Sequence, residues 1–173
     1  GSKLFSVSGD CEKPGVYELP WGISINELLE IVGATNTKAV QVGGASGTCI
    51  PKSQFDRKFG YEDIPTGGSV IIFDESRNML HVLKNFMEFF VEESCGQCTP
   101  CREGTGWLEK MLHRFEHNEA RQEDVDMLVN VANQIEGNTI CALGDAAAWP
   151  VQSFVKRFRE EFEKRVKVSA DAA

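Results

Sequence analysis

The chain has 173 residues, 42% hydrophobic and 25% charged, the make-up of a globular protein large enough for one ordinary domain or two small ones. A formal net charge of −8 and no cluster of Lys or Arg argue against nucleic acid, since phosphate binding needs a basic face. No apolar run approaches the roughly 20 residues of a membrane-spanning helix, so no membrane insertion is expected, and no signal peptide is visible.

Gly1-Ser2 reads as a cloning remnant, which would make the chain a piece of a longer one. Residues 3–74 read as a small β-rich unit. "KLFSVSG" and "GVYEL" are short strands joined by the turn-forming "DCEKPG". "SINELLEIVG" reads as one helix: Ser24 and Glu27 make a capping box, Ile25, Leu28, Leu29 and Val32 make the apolar stripe, and Gly33 ends it. "AVQVGG" and "SVIIFD" supply further strands. The order of elements predicts a β-grasp-like or related α+β fold. "VGGASGTCIP" (42–51) holds Gly43, Gly44 and Gly47, but Pro51 follows where a dinucleotide-binding loop needs a helix. These are read as turn glycines, with an interface role as the alternative.

Residues 76–168 change character, and the domain boundary is placed near Asp74–Arg77. Four amphipathic helices are predicted, with apolar stripes at helical spacing. The first carries Met79, Val82, Leu83, Phe86 and Phe90. The second, over 105–117, carries Trp107, Leu108, Met111, Leu112 and Phe115. The third carries Val125, Leu128, Val129, Ala132 and Ile135, and Gly137 follows it. The fourth opens at Pro150 and carries Val151, Phe154, Val155, Phe158 and Phe162, while its basic residues alternate with Glu160, Glu161 and Glu163 as on a solvated face. Short connections make this an all-α four-helix bundle whose stripes are core. "SADAA" reads as a frayed end.

Six cysteines could suit a secreted, disulfide-bonded domain, but a chain able to build its own core needs no such staples. In a cytosolic-looking chain, close thiols more often bind metal. In "SCGQCTPCREG" Cys95, Cys98 and Cys101 recur every third residue, as in iron–sulfur binding segments. Thr105 stands where the two-cluster pattern has its fourth cysteine, so a single cluster needs a ligand from elsewhere. Cys141, in the non-helical loop "GNTICALGD" after the third helix, is the candidate. The loops after helices one and three of a bundle lie at one end, so the four thiolates can share one [4Fe–4S] cluster. Cys101 just before a helix start would offer it amides and the positive dipole end. Arg102 would add charge, Pro100 would stiffen the loop, and Gly96, Gly104 and Gly144 would let backbone approach. A four-thiolate zinc site is a rival, though zinc favours two separated C-x2-C pairs. A zinc finger from Cys98, Cys101, His113 and His117 is a weaker one, because a continuous helix would span 105–117. No catalytic thiol arrangement is legible, and Cys11 and Cys49 read as unligated thiols in or near the small core.

These residues resemble a known family. "SCGQCTPCREG" and "TICALGDAAAWPVQSF" look like the cluster-binding region of the flavin- and NADH-binding subunit of respiratory complex I. They are also similar to the diaphorase subunits of NAD(P)-linked hydrogenases and formate dehydrogenases. "GDCEKPGVYELPWGISINELLEIVG" and "GGSVIIFDES" look like that family's soluble-ligand-binding β-grasp (SLBB) domain, and the likeness runs from about residue 5 to 166.

The resemblance implies that Cys95, Cys98, Cys101 and Cys141 hold a [4Fe–4S] cluster, which takes single electrons from FMN reduced by NAD(P)H and passes them to the next centre. It implies as partners the family's upstream FMN/NADH domain and the 2Fe-2S and multi-cluster subunits of the complex. The FMN/NADH domain is expected to be absent here, so this piece should bind neither FMN nor NAD and should not turn over NADH alone. Whether the parent continues past Val168 into a ferredoxin-like domain, as some hydrogenase-linked relatives do, is left open. The expected location is cytoplasmic, including the peripheral cytoplasmic face of a membrane complex. The alternatives left open are a zinc-holding docking module and a small-ligand-binding β-grasp protein.

Overall fold

The computed structural model describes residues 1–167. The end of the second predicted domain at 168 and the "SADAA" segment lie outside the described residues. The chain separates into two compact units, Gly1–Arg77 and Asn78–Ala173. Together they make a mixed α/β protein with one five-stranded sheet and five α-helices among the described residues.

The first unit holds strands β1 (Ser2–Gly9) and β2 (Gly15–Pro20), helix α1 (Ile25–Val32), and strands β3 (Thr37–Val42), β4 (Thr48–Pro51) and β5 (Ser69–Asp74). The sheet order is β2-β1-β5-β3-β4. Only β1 and β5 run parallel; the other neighbours are antiparallel. Strand β1 shows the period-two pattern of a half-buried strand: Phe5 and Val7 point inward, while Leu4 and Ser6 point out. Helix α1 starts at Ser24, whose hydroxyl accepts from the Glu27 amide while the Glu27 carboxylate accepts from the Ser24 amide. It ends at Gly33 in the left-handed region (φ 68). Its four buried residues, Ile25, Leu28, Leu29 and Val32, join Phe5, Val40, Phe59 and Ile72 in one core. Each such burial is worth about 1.5–3 kcal/mol. Strand β4 was not expected. Its four residues are too short for a periodic signal, yet Cys49 and Ile50 are buried and the strand pairs along β3. Gly43, Gly44 and Gly47 form the turn between these two strands.

The second unit holds α2 (Met79–Glu93), α3 (Thr99–Glu116), α4 (Gln122–Ile135) and α5 (Leu143–Glu163). Each helix packs mainly on two neighbours, in the ring order α2, α3, α4, α5. Short connections between ring neighbours make successive helices antiparallel, so the α2–α3 and α4–α5 loops share one end. Phe115 and Phe162 meet edge to face at 5.8 Å, and Phe86 and Phe154 at 5.9 Å, as aromatic pairs prefer.

The apolar stripes differ in detail from the periodic reading. In α2 the deepest residues include Leu80 and Met87, while Val82 and Phe86 are half-buried. Trp107, assigned to the core, is 57% exposed. Two helix starts also lie earlier than expected. Helix α3 begins at Thr99 because Pro100 falls in its first turn, where a missing N–H costs nothing. Helix α5 begins at Leu143 and carries Pro150 inside. The lost hydrogen bond there is outweighed by burial of Ala147, Ala148, Pro150 and Val151. The break in helical dihedrals falls at Phe158 (φ −125, ψ 28), not at the proline.

Candidate metal centre

Helix α2 stops at Ser94, whose amide donates to the Phe90 carbonyl at 3.1 Å. The chain then turns through Cys95, Gly96 and Gln97 into α3. Cys98 is the N-cap of that helix, in extended conformation and with no side-chain cap. Cys101 therefore lies within the first turn, not before it as the sequence suggested. The Arg102 amide donates to Cys98 O at 2.9 Å, the first hydrogen bond of the helix. Cys95 and Cys98 thus stand at the amide-bearing, positive end of an 18-residue helix, which favours anionic groups. Cys95 is exposed, Cys98 half-buried and Cys101 buried.

Polar contacts hold this loop. The Ser94 hydroxyl lies 3.3 Å from Cys101 Sγ, and the Gly96 amide donates to Ser94 Oγ at 3.4 Å. Arg102 donates to Gly96 O at 2.7 Å and to Glu103 Oε1 at 2.8 Å. Its charge is therefore partly neutralised, and its firmest task is to clamp the loop. Thr105, at the position of the missing fourth cysteine, donates its buried hydroxyl to Cys101 O at 2.8 Å.

The second loop arrives from α4. The Gly137 amide donates to Asp145 Oδ1 at 2.7 Å, and Thr139 donates its hydroxyl to Cys141 O at 2.9 Å. The Ile140 amide then donates to Cys98 Sγ at 3.4 Å, joining sequence positions 42 residues apart. Ile140 is the immediate neighbour of Cys141, so the backbone of the Cys141 loop reaches the run of three. Cys141 itself is exposed. At the base of this loop Glu136 accepts from Trp149 Nε1 at 2.8 Å and from Gln152 Nε2 at 2.7 Å. These bonds, Gln152 first, hold its carboxyl below the usual glutamate range. Neither Ser94, Ile140, Glu136 nor Asp145 carries a sequence signal, because their partners are remote in the chain or belong to a loop of no regular pattern.

The glycines serve differently from the sequence reading. A Cβ at Gly104 would meet Ile135 at 2.7 Å, and one at Gly144 would meet Thr139 at 2.5 Å. They permit α3 to approach α4, and the start of α5 to approach the Cys141 loop. Gly96 turns in the left-handed region (φ 79).

Among the described residues, no three His, Cys, Asp or Glu side chains meet closely enough to hold one metal ion. His113 and His117 stack on each other at 4.1 Å near the far end of α3. At about 1.5 Å per residue, they lie roughly 18 Å or more along the helix from Cys101, which excludes the zinc finger. Cys49 is buried on β4 and Cys11 is half-buried, both in the other unit. Burial pushes the Cys11 thiol up.

Residues 81–165 match the family described as the NADH-ubiquinone oxidoreductase-F iron-sulfur binding region. The chain is 41% identical over 179 aligned residues to the F subunit of NADH-quinone oxidoreductase from Rickettsia felis, a match covering 96% of this chain and 42% of that one. The corresponding protein of Rickettsia bellii is likewise 41% identical, over 96% of this chain and 43% of its own length. The chain thus spans less than half the length of these curated relatives. Among solved structures, an NAD+-reducing [NiFe]-hydrogenase in the H2-reduced state superposes with a TM-score of 0.92 at 34% identity, over 99% of this chain and 30% of that chain. The chain is thus alike in sequence to these oxidoreductase subunits along nearly its whole length, and its residues 81–165 match the 4Fe-4S binding region of the NADH-ubiquinone oxidoreductase-F family.

Proposed function

We propose that this chain is the electron-transfer part of an NAD(P)H-oxidising flavo-iron–sulfur subunit, with one [4Fe–4S] cluster held by Cys95, Cys98, Cys101 and Cys141. The observation that carries this reading is the Ile140 amide on Cys98 Sγ at 3.4 Å, which ties the loop of the fourth thiol to the run of three. The donor set fits the group: four thiolates are the usual complement of such a cluster, and the α3 terminus suits its negative charge. Cys95, Cys98, Cys101 and Cys141 would hold the group between them and need not close on one point, as four zinc ligands must at about 2.3 Å.

When bound, the cluster accepts and passes on one electron at a time. The protein's part is to fix the thiolates on two helix-anchored loops and to set their hydrogen bonding. In the parent, the donor is an FMN served by NAD(P)H in a domain outside this chain, and the acceptor is the next iron–sulfur centre of a neighbouring subunit. Other subunits are therefore the partners, consistent with the names of the relatives, which are themselves subunits. Residues 3–74 act as an SLBB domain; the mixed sheet with its central parallel pair and one packed helix supports a β-grasp. Residues 76–168 act as the four-helix cluster domain. No described helix is long and apolar enough to cross a membrane, in keeping with a place on the peripheral cytoplasmic face of a complex.

The test is anaerobic purification with iron, zinc and acid-labile sulfide counted per chain, then EPR before and after dithionite. About four irons and four sulfides are expected, silent as isolated and paramagnetic once reduced. Cys98→Ala should lose or convert the cluster, while Cys11→Ser and Cys49→Ser should keep it. One tight zinc without sulfide in protein reconstituted with iron would overturn the reading.

A further inference from the structure

Cys101 is the most buried of the four site cysteines, at 7% exposure, and the Ser94 hydroxyl lies 3.3 Å from its sulfur. The direction of that contact can be argued. The Gly96 amide already donates to Ser94 Oγ at 3.4 Å, which occupies an oxygen lone pair and leaves the hydroxyl proton to point elsewhere. A ligating thiolate carries no proton, so only the hydroxyl can donate. Both ends of this small relay are pinned. The Ser94 amide closes the last turn of α2 on Phe90 O, and Arg102 holds Gly96 O at 2.7 Å. Ser94 is thus set by a helix end rather than by a free loop.

We propose that Ser94 donates its hydroxyl hydrogen bond to the Cys101 thiolate and thereby raises the reduction potential of the bound cluster. This rests on the ligand assignment above. On reduction one electron enters, no bond breaks, and the proton stays on Ser94. The reduced centre carries one more negative charge, part of it on the cysteine sulfurs. A donor to sulfur is therefore stronger in the reduced state and stabilises it. Partial burial keeps water from replacing that donor fully.

The test is an anaerobic EPR redox titration of the iron-loaded protein and two variants, with iron and sulfide counted in each. Ser94→Ala should keep its cluster and shift the one-electron equilibrium toward the oxidised form by about tenfold, equivalent to 59 mV for one electron. Ser94→Thr, which retains the hydroxyl, should return most of that shift. An unchanged potential in a fully loaded Ser94→Ala protein, or no recovery with Thr, overturns the role of Ser94 and leaves the ligand assignment standing. Cluster retained in Cys101→Ala at wild-type content would instead overturn the ligand assignment. Should Ser94→Ala hold no iron, electron–nuclear double resonance on the reduced wild type decides. A coupled exchangeable proton beyond that of the Ile140 amide supports the donor, and its absence refutes it.

Discussion

Helix α3 contains an internal control for how tightly the second unit is packed. Gly104 and Gly106 stand two residues apart on one helix. A Cβ at Gly106 meets nothing within 4 Å, whereas one at Gly104 meets Ile135 Cδ1 and Cγ1 at 2.7 Å. Ile135 is itself 1% exposed, so a Cβ at Gly104 obliges a buried side chain to shift. Replacing a helical glycine by alanine gains about 1 kcal/mol in an open site, so Gly106→Ala should stabilise by that amount. At Gly104 the same gain is set against overpacking, which costs about 1–3 kcal/mol, so Gly104→Ala should be destabilising by up to about 2 kcal/mol. For a domain of this size 1 kcal/mol corresponds to roughly 4–8 °C in Tm. The two variants should move in opposite directions. Thermal and urea unfolding followed by helical circular dichroism, under anaerobic conditions, reads both. If Gly104→Ala stabilises as much as Gly106→Ala, the close α3–α4 approach is wrong, and with it the placing of the two cysteine loops at one end.

Two further outcomes are expected. Asp145→Ala removes the acceptor of the Gly137 amide; at about 1 kcal/mol for an exposed bond, helix content should persist while the cluster is stripped by a chelator roughly fivefold faster, and Asp145→Asn should restore the slower rate. In the first unit, Asp10 accepts two hydrogen bonds from Arg77 and one from the Asp74 amide. These, Arg77 first, hold its carboxyl below the usual 3.8. A depressed folded value means that the stabilisation is present above that pH and is lost as pH falls through the folded value. Urea midpoints should therefore drop below about pH 4, and Arg77→Met should flatten that acid limb; an unchanged limb would mean that the pair contributes nothing.

Much of the fold was legible because it is written locally. The capping box of Ser24 and Glu27 and the stripe of α1 lie within one short stretch, and the structure places each of those residues as the pattern required. The same holds for the four helices of the second unit, whose period survives although individual residues shift. Trp107 shows the limit. Its spacing matches the core face, but the width of that face is set by the neighbouring helices, and Trp107 falls beyond their reach. Strand β4 was missed because four residues carry no period, and only its pairing with β3 makes it a strand. The starts of α3 and α5 were misplaced because proline reads as a boundary in sequence, whereas it is accepted in a first turn, as at Pro100, or where burial offsets its missing N–H, as at Pro150.

The site divides the same way. The spacing of Cys95, Cys98 and Cys101, and Thr105 where a further cysteine of the two-cluster pattern would stand, follow from the sequence alone, because the number and interval of thiols are covalent facts of the chain. What ties Cys141's loop to them does not. The amide of Ile140 reaches Cys98 across 42 positions, and that contact exists only because α2, α3, α4 and α5 pack in a ring that brings the α4–α5 loop to the same end as the α2–α3 loop. Hydrogen bonds such as Ser94 to Cys101 depend on where a helix stops, to within one residue. Sequence periodicity is coarser than that, so the tertiary structure alone decides which donors face the sulfurs.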